Sequence, residues 1–363
     1  MLRRRWVLLL IGFLSGLNSG FGNPADWKDS LQSGLNEHYL GHFAEAEMFL
    51  RAGIEGARLH GNESEAAGAL SRLGDLYLSE DRFEDAENIY GEALSLYRKS
   101  EKKTGTADIG AVITLRSLGT TYALEGEAKK ALPVLNDALL QGKKHFNSDA
   151  HLQAIILNSL GLAYIQAGDL KKAEPLFLQV LQLQPGESVS DFLRANALNN
   201  LAQLHREQRK YEPAEKEYLN CLEISEHLLG PSHPELAITR GSLAVLYLRM
   251  GRFPEAEDQA LASLRIMEAT KPFMPGRIVR ALHILSEIYD GQGKRTEAED
   301  ALARAADIAR KNLERDAETA VILDAYSAIL KRSGKTDLAR TTRIEADRVR
   351  ASMALTTTLH GLR

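Results

Sequence analysis

One alanine recurs along this chain at nearly constant spacing: Ala46, Ala86, Ala131, Ala173, Ala214, Ala256, Ala298 and Ala339. The intervals are 40, 45, 42, 41, 42, 42 and 41 residues. A period of about 20–50 residues marks stacked supersecondary units. Twelve residues before each anchor stands a second small residue: Gly34, Gly74, Gly119, Gly161, Ala202, Ala244, Ser286 and Ser327. Seven residues after it stand Gly53, Ala93, Ala138, Val180, Cys221, Ser263, Ala305 and Ala346, small in every case but Val180. Leucine precedes the first small site at Leu73, Leu118, Leu160, Leu201, Leu243 and Leu285. Tyrosine lies nine before the anchor at Tyr77, Tyr122, Tyr164, Tyr247 and Tyr289, with His205 in that place in the fifth repeat. Glycine lies five before it at Gly41, Gly126, Gly168, Gly251, Gly293 and Gly334.

This pattern predicts a helix, a tight turn and a second helix in each repeat. Leu, the small residue and Tyr share one stripe of the first helix at three- to four-residue spacing. Glycine ends that helix by supplying the positive φ that other residues resist. The anchoring alanine and its partner seven residues later lie on one face of the second helix. Small residues at a crossing let two helix backbones approach closely. Each hairpin leaves an apolar face that the next repeat covers. Composition agrees: aromatics make up 6% of 363 residues and there are 10 prolines, against the aromatic and β-branched richness of an all-β chain. Pro213, Pro254 and Pro234 are expected at helix starts, and Pro133 and Pro175 within first turns.

The repeat resembles the tetratricopeptide repeat, in the longer variety found in kinesin light chains and many bacterial proteins. Leu228-Leu-Gly-Pro-Ser-His-Pro-Glu-Leu-Ala237 is similar to its inter-repeat linker, Leu198-Asn-Asn-Leu-Ala202 to its first helix, and Lys172-Ala-Glu-Pro-Leu-Phe177 to its second. The resemblance implies an all-α, right-handed α-solenoid of about eight helix-turn-helix repeats over residues 26–350. The terminal repeats depart from the pattern, with Glu37 at the tyrosine site of the first and Tyr326 and Leu330 shifted in the eighth. Such departures are expected of caps whose outer faces meet water. Residues 351–363 read as a C-terminal tail.

Residues 1–22 read as a signal peptide. Three arginines lie within the first five residues, an apolar stretch runs from Trp6 to Leu17, and small residues follow to Gly22. That is the order of a secretory signal, and the apolar run falls short of the roughly 20 residues that span a bilayer. The expected location is therefore periplasmic or secreted. Membrane attachment is expected only if this segment stays uncleaved.

No catalytic constellation emerges. There is no glycine-rich phosphate loop and no nucleophile elbow. The net charge of -4 gives no basic excess for nucleic acid. His38 and His42 have metal-like spacing, but Gly41 is expected to break the helix between them. Cys221, the sole cysteine, reads as a buried structural thiol. Glutamate directly after the anchor recurs in six repeats (Glu47, Glu87, Glu174, Glu215, Glu257, Glu299). It reads as a first-turn acid facing the helix dipole or a local basic partner. Asn62-Glu-Ser64 is a glycosylation sequon, relevant only to a eukaryotic secretory route. Arg240 stands where other repeats carry leucine, so it must find a partner or reach solvent. The expectation is a non-enzymatic chain with no cofactor and no metal.

In the resembled family the first helices line the inner, concave surface. The inward stripe then lies 18, 15, 11 and 8 residues before the anchor. Over repeats three to seven it holds Arg116, Asn158, Asn196, Asn199, Gln203, Arg206, Arg280 and His283, with Asn200 adjacent and the acids Glu207, Glu287 and Asp290 on or near it. Amides can hold the backbone of an extended peptide, since each offers a donor and an acceptor. Arginine can hold a carboxylate by two hydrogen bonds. The expected function is a scaffold that binds a peptide or assembly subunit in this groove. Alternatives are a non-catalytic subunit of an enzyme or of a secretion or envelope complex, or a cytoplasmic peptide-sensing regulator.

Overall fold

The structure is a computed structural model and describes residues 27–80, 82–183, 190–270, 275–313 and 317–360. The expected signal segment 1–22 lies outside them. Sixteen helices and no strand occur among the described residues. They divide into two compact units, Met1–Leu204 and His205–Arg363.

The first unit contains four helical hairpins. They are α1 (Trp27–Leu40) with α2 (Phe43–Leu59), α3 (Glu63–Ser79) with α4 (Phe83–Thr104), α5 (Ile109–Glu125) with α6 (Ala128–His145), and α7 (Ala150–Gln166) with α8 (Leu170–Gln182). Most of α9 (Asp191–Glu207) follows. The second unit begins in the last turn of α9 and continues with α10 (Tyr211–Leu229). Three hairpins complete it: α11 (Pro234–Arg249) with α12 (Phe253–Ala269), α13 (Pro275–Gly291) with α14 (Arg295–Asn312), and α15 (Ala317–Arg332) with α16 (Thr336–His360). Within each unit the second helix of one repeat also packs on the first helix of the next, as α2 does on α3 and α12 on α13.

The small sites do what the period predicts. Seven of the anchoring alanines have no exposed surface, and Ala339 is buried too. A Cβ added to Gly161 would lie 2.5 Å from the Phe177 ring, one added to Gly74 2.5 Å from Tyr90, and one added to Gly119 2.6 Å from Leu135. These partners all stand four residues after the anchor, so glycine and a large side chain interlock at each crossing.

The turn glycines Gly41, Gly126, Gly168, Gly251, Gly293 and Gly334 all have positive φ. In the fifth repeat Arg209 occupies the same place at φ 60°. Asn62, Asp108, Asp149, Asp169 and His233 cap their helices by accepting from backbone N–H groups.

Two expectations are corrected, on the prolines and on the C-terminal tail. Pro133 and Pro175 are each the sixth residue of their helix, one turn further in than expected. There each ring removes the N–H that would reach the carbonyl of Lys129 or Lys171. Helix α16 runs on to His360, because no glycine or proline interrupts 351–360. The 45-residue interval arises in α4, which has 22 residues against 17 in α2 and 18 in α6, before Gly105 ends it.

The recurrent glutamate joins adjacent repeats. Tyr77 donates to Glu47 at 2.7 Å, Tyr122 to Glu87 at 2.6 Å and Tyr247 to Glu215 at 2.9 Å. An arginine completes the first and third of these joints. Arg82 stacks on Tyr77 at 4.0 Å and reaches Glu47 at 3.3 Å. Arg252 stacks on Tyr247 at 4.4 Å and reaches Glu215 at 2.9 Å. Lys294 and Gln292 both donate to Glu257, and Lys335 pairs with Glu299. In the third and fourth repeats an acid replaces the cation four before the anchor. There Lys130 and Lys172, one before it, lie over Tyr122 and Tyr164. The neighbouring-basic-partner reading of this glutamate therefore holds for Glu47, Glu215, Glu257 and Glu299, in the first, fifth, sixth and seventh repeats.

Candidate interaction surface

In the first unit the predicted stripe occupies α5, α7 and α9. Arg116 on α5 is buried. Its Nη2 donates to Ser117 Oγ at 2.9 Å, and its Nε has no partner among the described residues. Asn158 on α7 has no exposed surface. Its Nδ2 reaches the Leu193 carbonyl at a long 3.5 Å, and its Oδ1 is unpartnered. On α9, Asn196, Asn199 and Gln203 are half-buried, while Asn196 Nδ2 and Asn199 Oδ1 lack partners among the described residues. Asn200 is buried.

The open-groove reading is thus corrected for Arg116 and Asn158, which neighbouring side chains and α9 cover. Asn196, Asn199 and Gln203 keep partly exposed side chains. An unpaired polar atom removed from water costs roughly 1–3 kcal/mol. Three consecutive first helices of this unit carry at least one such atom.

Applying the same register to the second repeat finds a residue that the sequence reading passed over. Asp75, eleven before Ala86, accepts from the Tyr90 hydroxyl at 2.7 Å. Burial raises its carboxyl above the usual range, partly offset by that bond and by the charge of Arg116. His38, eight before Ala46, contacts Ser79 Oγ at 3.0 Å. His42 turns instead to Glu37 at 2.6 Å. The two rings separate at Gly41, and no metal-binding group of three or more His, Cys, Asp or Glu occurs among the described residues.

The stripe in the second unit is bound up in its own ion pairs. Arg206 contacts Glu207 at 3.1 Å, and Arg280 contacts Glu318 at 3.4 Å. His283 lies 3.9 Å from Glu287, and Asp290 accepts from Arg332 at 2.8 Å. Burial lowers the pKa of His283, and Glu287 opposes that shift. Arg240 pairs with Glu226 and donates to Gln259 at 3.1 Å, which answers the question its position poses. Cys221 is buried beside Thr239 and Ser225. Glu235, at the start of α11, is pushed up to about 7 by burial, against the opposing charge of Arg277.

No described helix is long and apolar enough to cross a membrane.

Paired helices with interlocking small residues, repeated in phase, define an all-α repeat protein whose exposed stripes are suited to holding other chains. Family profiles for the tetratricopeptide repeat match residues 69–104, 110–185, 193–269 and 279–316. The chain belongs to the tetratricopeptide-repeat family. No curated protein matches it. Among solved structures it is similar to the apo quorum sensor NprR from B. thuringiensis, at TM-score 0.66 and 13% identity, over 89% of this chain and 87% of that one. It is also similar to BtubC (BKLC) from P. vanneervenii, at TM-score 0.56 and 22% identity, over 63% and 91%. A tetratricopeptide repeat protein from Parabacteroides merdae matches at TM-score 0.52 and 20% identity, over 84% and 99%. At these identities the likeness is one of fold.

Proposed function

We propose that this chain is a non-catalytic, exported interaction protein that holds an extended peptide, or an extended segment of an assembly subunit, on the first-helix stripe of its first unit. One observation carries the reading: Asn158, Asn196 and Asn199 hold polar atoms that have no partner among the described residues. Asn196 and Asn199 would meet the partner first, since their side chains are partly open, and their buried unpaired atoms would have to turn outward to engage it. Asn158 would join only if the partner displaced its long contact to Leu193. A peptide backbone presents the donors and acceptors that such amides lack. The fold shared with a quorum sensor is compatible with this role. The order of charged, apolar and small residues over 1–25 supports export.

The test uses Asn196→Ala/Asn199→Ala as bait beside the wild-type chain, in a pull-down from the native compartment followed by titration of the recovered partner. Each lost hydrogen bond weakens binding by about 0.5–1.5 kcal/mol, so the double variant should bind about tenfold less tightly. Its melting temperature should stay the same or rise, because removing a buried unpaired polar atom relieves a desolvation cost. A partner held equally by both baits moves binding off this stripe. N-terminal sequencing of the native protein tests export: a start near Asn23 is expected, and an intact Met1 in the cytoplasm refutes it.

A further inference from the structure

The first unit contains a cleft of about 280 Å³ away from the amide stripe, between the C-terminal halves of α4 and α6 and over the start of α5. It exists because α4 runs a turn longer than α2 and α6, and the chain re-enters a helix only at Ile109. Leu94, Val112 and Leu115 form an apolar floor. Asp108, whose carboxylate already accepts from Ser64 and from the Gly110 N–H, and His145 also line the cleft. The two long walls each add one charge of each sign: Arg98 and Glu101 on α4, Lys144 and Asp137 on α6. All four side chains are exposed. Arg98, Glu101 and Lys144 have no hydrogen-bond or ion-pair partner among the described residues, and Asp137 accepts only from Gln141, at 3.3 Å.

We infer that this cleft binds a small amphiphilic zwitterion, namely a free α-amino acid with a large apolar side chain. The volume lies just below the range of pockets that hold drug-sized molecules, roughly 300–1,000 Å³, which suits a ligand of amino-acid size. A ligand of one charge sign would set a like charge against itself from each wall. A zwitterion gives its carboxylate to Arg98 and Lys144 and its ammonium to Glu101 and Asp137. The apolar side chain then covers the half-buried Ala107, Ala111 and Leu115 and removes their remaining surface from water. Arg116 and the α9 amides do not line this cleft, so the site is independent of the peptide-holding stripe.

Saturation-transfer NMR of the full chain with L-phenylalanine and L-leucine tests the inference. Binding near 1 mM is expected for a ligand of about a dozen non-hydrogen atoms. 3-Phenylpropionate and phenethylamine, each lacking one charge, should bind at least tenfold more weakly. Arg98→Gln/Lys144→Gln and Glu101→Gln/Asp137→Asn should each weaken L-phenylalanine at least tenfold while melting is unchanged. Ala111→Leu, which fills the cleft, should abolish the signal. The inference is overturned by no transfer to either amino acid at several times that concentration. It is equally overturned by binding that the charge variants leave intact, or by either single-charge analogue binding as well as L-phenylalanine.

Discussion

Replacing Gly161 by alanine isolates the interlock at the helix crossings. In an open helix interior, alanine is favoured over glycine by roughly 0.5–1 kcal/mol. Gly91 on α4 is such a site, with no atom within 4 Å of an added Cβ, so Gly91→Ala should stabilise the first unit by about that amount. At Gly161 the added Cβ would lie 2.5 and 2.6 Å from two carbons of the Phe177 ring. Ordinary contact begins near 3.4 Å, so the ring must recede by about 0.9 Å. Phe177 has no exposed surface and packs with Leu162, Leu201 and Leu204, which leaves it little room. Overpacking of this kind costs about 1–3 kcal/mol, enough to cancel or reverse the helix-propensity gain. Gly161→Ala should therefore be about 1–3 kcal/mol less stable than Gly91→Ala. Gly161→Leu should be less stable again. Urea and thermal melts followed by helical circular dichroism measure this, and Gly161→Ala/Phe177→Leu should be less destabilised than the two single changes added together. A Gly161→Ala chain stabilised as much as Gly91→Ala would refute the crossing geometry and with it the register of the repeat.

Three further outcomes are expected. Arg209→Gly should raise stability by about 0.5–1 kcal/mol, read in the same melts, because its φ of 60° is one that non-glycine residues adopt at a cost; an unchanged or lowered midpoint counts against strain there. The Glu235 carboxyl, raised to about 7 by burial, binds its proton more tightly in the folded chain, so its contribution to stability falls as pH rises from the unfolded value near 4.5 to 7. Glu235→Gln should thus stabilise by up to about 3 kcal/mol at pH 8 and little at pH 4, and a gain equal at both would disprove the titration. Glu215→Ala should cost about 1 kcal/mol, since its bonds to Tyr247 and Arg252 are partly exposed. Tyr247, pushed up to about 12 by burial first and by that bond second, should then ionise at lower pH in ultraviolet absorbance, whereas an unmoved titration would mean the bond is not made in solution.

Periodicity made the helices legible because each repeat reports on the others. A single Gly161 says little, but Gly34, Gly74, Gly119 and Gly161 in one phase specify a crossing. The same averaging hides exceptions. Arg209 holds the left-handed turn without glycine because the flanking helices dictate the φ there. The stripe was less legible than the core. Helical phase gives the direction a side chain leaves its own axis, not what the next helix lays over it, so Asn158 reads like Asn199 in sequence although only Asn199 remains partly open. Arg280 and His283 were found on the expected stripe, but their partners Glu318 and Glu287 depend on rotamers that spacing does not fix. Asp75 stands at the same register position of the second repeat, but spacing alone does not show that Tyr90 covers and binds its carboxyl.

The glutamate-to-tyrosine joints bear on how such a chain can change length. Glu47 and Tyr77 are 30 residues apart, Glu87 and Tyr122 are 35, and Glu215 and Tyr247 are 32. Their bonds nevertheless fall between 2.6 and 2.9 Å. The additional turn of α4 lies inside the longest of these spans and leaves its joint closed. Insertions at the ends of second helices are therefore absorbed as local protrusions while the side-chain joint keeps adjacent hairpins in phase. New surface, such as the cleft beside α4, can arise there without a compensating change anywhere else in the unit.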